Sequence, residues 1–148
     1  IFPLGSLLIS QFMMVQRKRF FQHLDTKYSE KQYRKIFSDS PAMIFLVDPN
    51  DGSFKDVNQS ALDKYNYTKE EFLSLRVSDI SLNKIEESMQ IFNDIINEAK
   101  SDYYFKHITK NKEEIDVNVH AGSMTIDGYN YILASELYNI NIFYSFTY

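Results

Sequence analysis

The sequence holds no cysteine and no tryptophan, and of its 148 residues only 4 are glycine and 3 are proline. Without cysteine there is no disulfide, no thiolate metal site and no cysteine nucleophile, a composition that fits a reducing compartment. Basic residues are outnumbered, 16 Lys and Arg against 20 Asp and Glu, for a net charge of −4. Phosphate binding needs a basic surface, so nucleic acid is excluded as the main partner. No P-loop, paired-histidine motif or Ser/His/Asp order is present, and the chain reads as non-catalytic. What it does have is aromatic bulk, 12 Phe and 11 Tyr, within a 44% hydrophobic and 24% charged composition. That is the balance of a globular chain with room for one domain and a flanking segment.

The chain opens on Ile1 and is expected to be a fragment of a longer protein. Ile1 to Val15 carries no charge and ends against Gln16-Arg17-Lys18-Arg19. A spanning helix needs roughly 20 apolar residues, so residues 1–15 read as the end of a transmembrane helix with the basic cluster on the cytoplasmic side. An amphipathic or core-packing helix and a signal-peptide remnant are the alternatives. The membrane reading places the protein at the cell membrane with its following domain in the cytoplasm. A linker helix is expected over 16–32. Leu24 and Tyr28, with Phe21 just before them, form a stripe suited to pairing in a homodimer or to packing on the domain's own sheet.

Ser40-Pro41 stops the helical pattern, because the residue before proline avoids the helical region. Ala42 to Val47 is a continuous apolar run, a strand covered on both faces. Asp48-Pro49-Asn50-Asp51-Gly52 is a turn leading into a second strand, Ser53 to Val57. Asn58 stands where a helix N-cap is wanted, and Asn66 where a left-handed cap ends that helix. Thr68 and Glu71 make a capping box, with Tyr67 and Phe72 at staple spacing. These backbone duties account for the acidic group Asp48, Asp51 and Asp56 without catalysis. Asn83 with Glu86 is expected to cap an amphipathic helix from Ile85 to Lys100, apolar at Ile85, Met89, Phe92, Ile96 and Ala99. Three strands follow, Tyr103 to Lys110, Glu114 to Ile126 and Tyr129 to Leu137, turning at Asn111-Lys112 and Asp127-Gly128. The order of elements makes an α+β domain.

In this order and spacing the chain from Tyr33 to Asn141 resembles a PAS domain. The resemblance is carried by the apolar strand ending at Asp48, Asn50-Asp51-Gly52, Asp56-Val57-Asn58, Tyr67 with Thr68 to Phe72, Lys110 to Ile115, and Ile126-Asp127-Gly128. Asn66 replaces the glycine usual before the aromatic, and Asn111-Lys112 a common Asp-Gly. Asn139-Ile140-Asn141 is the nearest counterpart of the family's Asp-Ile-Thr-like output signature. The resemblance implies a PAS fold over 33–141: a five-stranded antiparallel sheet of order 2-1-5-4-3, helices on one face, a cavity between, and an N-terminal helix before it. It implies a sensory module of a membrane-anchored bacterial or archaeal signalling protein, with residues 142–148 leading to an output domain such as a histidine kinase or diguanylate cyclase. The alternative is a ligand-free dimerisation module.

The resemblance also narrows the cofactors. A thiol-adduct flavin needs a cysteine, which is absent. Haem relatives place a histidine on the long helix, and Ile85 to Lys100 has none. The ligand therefore stays unassigned. The expected pocket lining is Met89, Phe92, Ile95 and Ile96, facing Val117 and Val119, with His107 sharing the parity of Phe105; a filled core is the plainer account of the same stripe. No second ligand stands at metal spacing from any histidine, and His120 shares the parity of the polar face.

Overall fold

The computed structural model describes residues 4–138, without the side chains of 4–7, 9, 20–29, 85 and 138. It divides into two compact units, the first ending at Asp39 and the second beginning at Ser40. The first is one helix, α1 (Leu4–Asp39), of 36 residues. It corrects the expected membrane anchor. No helix among the described residues is long and apolar enough to cross a membrane, because the apolar run meets Arg17, Lys18 and Arg19 before it reaches spanning length. The expectation of a cell-membrane location is overturned with it. The side chains of Phe21, His23, Leu24 and Tyr28, and the tail 142–148 with the Asn139–Asn141 junction, lie outside the described residues.

The second unit runs β1 (Met43–Val47), β2 (Phe54–Val57), α2 (Gln59–Tyr65), α3 (Lys69–Leu73), α4 (Val77–Ile80), α5 (Ile85–Ile96), β3 (Asp102–Ile108), β4 (Glu114–Ile126) and β5 (Tyr129–Tyr138). The five strands form one antiparallel sheet of order β2-β1-β5-β4-β3. As expected, the fold is α+β with the PAS strand order.

Local chemistry sets the first half. Asp48 accepts from the Asn50 amide and Asp51 from the Ser53 amide, both at 2.9 Å. Gly52, at φ 73°, closes the turn by donating to the Asp48 carbonyl at 2.8 Å; that conformation favours a residue without Cβ. Asn58 ties strand to helix. Its Oδ1 accepts from the amides of Ile44 (2.9 Å) and Ala61 (3.2 Å), and its Nδ2 donates to the Ala42 carbonyl (2.9 Å). One buried side chain thus caps α2 and fixes it on β1. The Thr68–Glu71 capping box opens α3 as read from sequence. Beneath these elements Phe45, Phe54, Tyr65 and Phe72 meet with ring centroids 4.8–5.9 Å apart. These are spacings at which aromatic pairs attract beyond their buried area.

The second half departs from the sequence reading at α5. Its N-cap is Lys84, with no side-chain cap bond, rather than Asn83. Leu82 donates to the Lys106 carbonyl at 3.0 Å and Asn83 to Ser81 Oγ at 3.2 Å, which holds this segment on β3 instead of in the helix. The helix ends at Ile96, short of Lys100, because Glu98 enters the left-handed region at φ 57°. The short helix α4, unread in the sequence, is anchored by the Val77 amide on the Gly52 carbonyl at 2.9 Å.

Candidate functional site

Alternation along the strands decides what the inner face of the sheet presents. Tyr103, Phe105 and His107 of β3 point inward, as do Val119 and Ala121 of β4 and Ile132, Ala134 and Glu136 of β5. Ala121 and Ala134 are direct cross-strand partners, and two such small residues side by side leave a dip in the face. Helix α5 covers the dip with Ser88, Ile91, Phe92 and Ile95 without filling it. The result is a cavity of about 60 Å³ between α5 and the sheet. Pockets for drug-sized ligands run to roughly 300–1,000 Å³, so this one takes only a few non-hydrogen atoms unless its walls move.

One side of the cavity is polar. Glu136 is 4% exposed and His107 3% exposed, and both line it. The Tyr65 hydroxyl donates to Glu136 Oε2 at 2.8 Å and lies 2.6 Å from His107 Nδ1. Glu136 Oε1 is 3.5 Å from His107 Nδ1, beyond a good hydrogen bond. Burial first, and then the Glu136 carboxylate, push the Tyr65 hydroxyl well above the ordinary tyrosine pKa, so it keeps its proton. With that single proton given to Glu136, the hydrogen between His107 Nδ1 and the tyrosyl oxygen belongs to Nδ1, and in the uncharged ring that tautomer makes Nε2 an acceptor. The His107 backbone is pinned by a bridge to Ser81. Its ring stacks on Phe105, which stacks on Tyr103, each pair 5.7 Å apart and 7° from parallel.

Of the residues read from sequence as lining, Phe92, Ile95, His107 and Val119 stand on the cavity wall. Met89 does not: it is 44% exposed. Ile96 borders a separate surface groove with Asp48 and Tyr129, and Val117 is wholly buried outside the cavity lining. The physical reason is a helix turned so that Ser88 and Ile91 join Phe92 and Ile95 on the cavity side in place of Met89 and Ile96. Tyr65 and Glu136 are absent from the sequence reading of the site. The parity of Ile132, Ala134 and Glu136 is the available signal for the second, but a glutamate near a strand end reads as solvated. His120 lies on the polar face, exposed and 2.9 Å from Asp102. Among the described residues no group of acidic or histidine side chains could hold a metal ion.

Comparison with known proteins agrees with this architecture. The PAS domain family model matches residues 41–139, more than half of the chain. A stretch of 54 residues, 36% of the chain, is 35% identical to the methyl sulfide methyltransferase-associated sensor of Methanosarcina acetivorans, and spans 5% of that protein's length. The PAS domain of an HTR-like protein from Haloarcula marismortui superposes with a TM-score of 0.67 at 21% identity, over 82% of this chain and 99% of that one. A domain of the sensory box sensor histidine kinase/response regulator from Geobacter sulfurreducens gives a TM-score of 0.62 at 19% identity, over 74% and 95%. These structural likenesses concern the fold. Together with the family match they establish that the chain belongs to the PAS domain family, sensory modules of signalling proteins that are generally non-catalytic.

Proposed function

We propose that this PAS domain is the input module of a larger signalling protein and takes a small ligand between α5 and the sheet. The observation that carries the reading is the cavity at Ala121 and Ala134 with Glu136 and His107 on its wall. A protein interior is normally packed as densely as an organic crystal, so an unfilled space beside buried polar groups points to an occupant. A ligand that fits one α5–sheet arrangement better than another shifts the balance between them, and the elements flanking the domain pass that shift to an output domain in cis. A histidine kinase is the favoured output, since two of the similar folds come from sensor histidine kinases; a diguanylate cyclase is the second choice.

A thermal-unfolding screen of the chain against small metabolites tests this. Binding to the folded state raises the unfolding temperature by mass action. A screen in which nothing moves that temperature favours the ligand-free dimerisation module. That second reading draws on α1, where Leu8, Phe12 and Val15 are exposed at helical spacing. Phe12→Glu with Val15→Glu should then lower the mass seen in sedimentation equilibrium, and an unchanged mass would remove helix pairing at these positions.

A further inference from the structure

The cavity has a chemical bias beyond its size. An ionised carboxylate in an apolar interior is costly unless a cation or several hydrogen bonds compensate it. Glu136 has one hydrogen bond, from Tyr65 to Oε2. Its Oε1 has only His107 Nδ1 at 3.5 Å, and no lysine or arginine lines the cavity. His107 Nε2 likewise has no hydrogen-bond partner among the described residues. Oε1 is an acceptor and Nε2 is one in the uncharged ring; the serine hydroxyls on the wall are those of Ser81 and Ser88, and Ser88 Oγ already donates to the Lys84 carbonyl at 3.3 Å.

The remaining wall is aromatic to an unusual degree. Phe45, Phe54, Phe92, Tyr103 and Phe105 all line it. Aromatic faces carry negative electrostatic potential and attract cations, most strongly where water is excluded. A carboxylate oxygen in want of a donor, an imidazole acceptor and five rings around about 60 Å³ describe a site for a positively charged group with a small apolar body.

From this arrangement we infer that the ligand of the cavity is a small organic ammonium ion, its N–H groups donating to Glu136 Oε1 and His107 Nε2 and its alkyl part against Phe105 and its neighbours. The inference rests on the sensory reading above and narrows it to one charge class. An anionic metabolite would meet Glu136 at close range with no lysine or arginine on the wall to compensate. A neutral one could at most donate a hydrogen bond to Oε1 and would bring no positive charge to the carboxylate.

The test is a two-dimensional amide NMR titration of the full chain at constant ionic strength with methylammonium chloride, its neutral isostere methanol, and acetate. Methylammonium should shift the amides of β3, β5 and α5 and bind at least about tenfold more tightly than methanol. Acetate should leave the cavity resonances unmoved. Glu136→Gln, which keeps the volume and can still accept from Tyr65, should bring methylammonium down to the methanol level. Phe105→Leu should weaken methylammonium binding roughly threefold, an arm that stands even where Glu136→Gln fails to fold. Binding of methylammonium by Glu136→Gln at wild-type strength would overturn the inference. So would wild-type protein that takes methanol or acetate as well as methylammonium. Stabilisation by an uncharged or anionic metabolite in the thermal screen, without a methylammonium response, would overturn the ammonium ligand and leave the sensory reading standing. Silence in both experiments would remove the two together.

Discussion

At the β1–β2–α2–α3 end of the domain, Phe45, Phe54, Tyr65 and Phe72 touch ring to ring, and Phe72 and Tyr65 have no exposed surface at all. At the α5 end, the same sheet face carries Ala121 and Ala134, and the helix above them leaves a cavity. The first region is held by short-range chemistry as well: Asn58 alone serves Ala42, Ile44 and Ala61. The second has a helix without a side-chain N-cap and a buried glutamate with one hydrogen bond. Filled space and close ring packing make a scaffold that cannot change cheaply. Unfilled space beside a half-satisfied carboxylate makes a region that a ligand can change. On the proposed reading, framework and sensing end differ in packing.

Substitutions separate the two regions. Phe72→Ala should have the largest effect, about 3–5 kcal/mol of unfolding free energy by urea denaturation, because it empties the centre of the aromatic cluster. Asn58→Ala should follow at about 2–3 kcal/mol, from loss of a cap and of partners for buried backbone groups. A matched pair of enlargements is the sharpest comparison. Ala61→Val on the wholly buried face of α2 should cost about 1–3 kcal/mol. Ala134→Val, directed into the cavity, should change stability by less than about 1 kcal/mol while abolishing ligand binding. Equal costs at the two sites would erase the distinction between filled and unfilled ends.

The smallest effect is at the surface of the scaffold. The hydrogen bond from Lys110, then that from the Thr68 amide, lowers the Glu71 pKa below its ordinary value. A depressed carboxylate adds stability above its unfolded pKa and loses it as pH falls through the folded one. The urea midpoint of the wild type should therefore drop between pH 5 and pH 3 by slightly more than that of Glu71→Gln. Coincident pH profiles would deny the capping box an electrostatic share.

Much of the scaffold is legible in the amino-acid sequence. The Asp48–Gly52 turn, the Asn58 cap, the left-handed Asn66 and the Thr68–Glu71 box each join residues a few positions apart, and each residue type has few other uses there. The sheet follows from alternation and from the resemblance those motifs carry. The α5 end is less legible for a physical reason. With Ile91, Phe92, Ile95, Ile96 and Met89 all apolar, the helix has two plausible inner faces. Only the sheet beneath decides between them.

The amino-acid sequence by itself determined the local devices and through them the PAS framework, since hydrogen bonds across three or four residues need no distant partner. Tertiary structure decided the site. His107 and Glu136 lie 42 and 71 residues along the chain from Tyr65, and no spacing rule joins the three. Strand order brought them together. Two paired alanines made room beside them, and strand parity placed the one carboxylic side chain of the lining on the cavity wall.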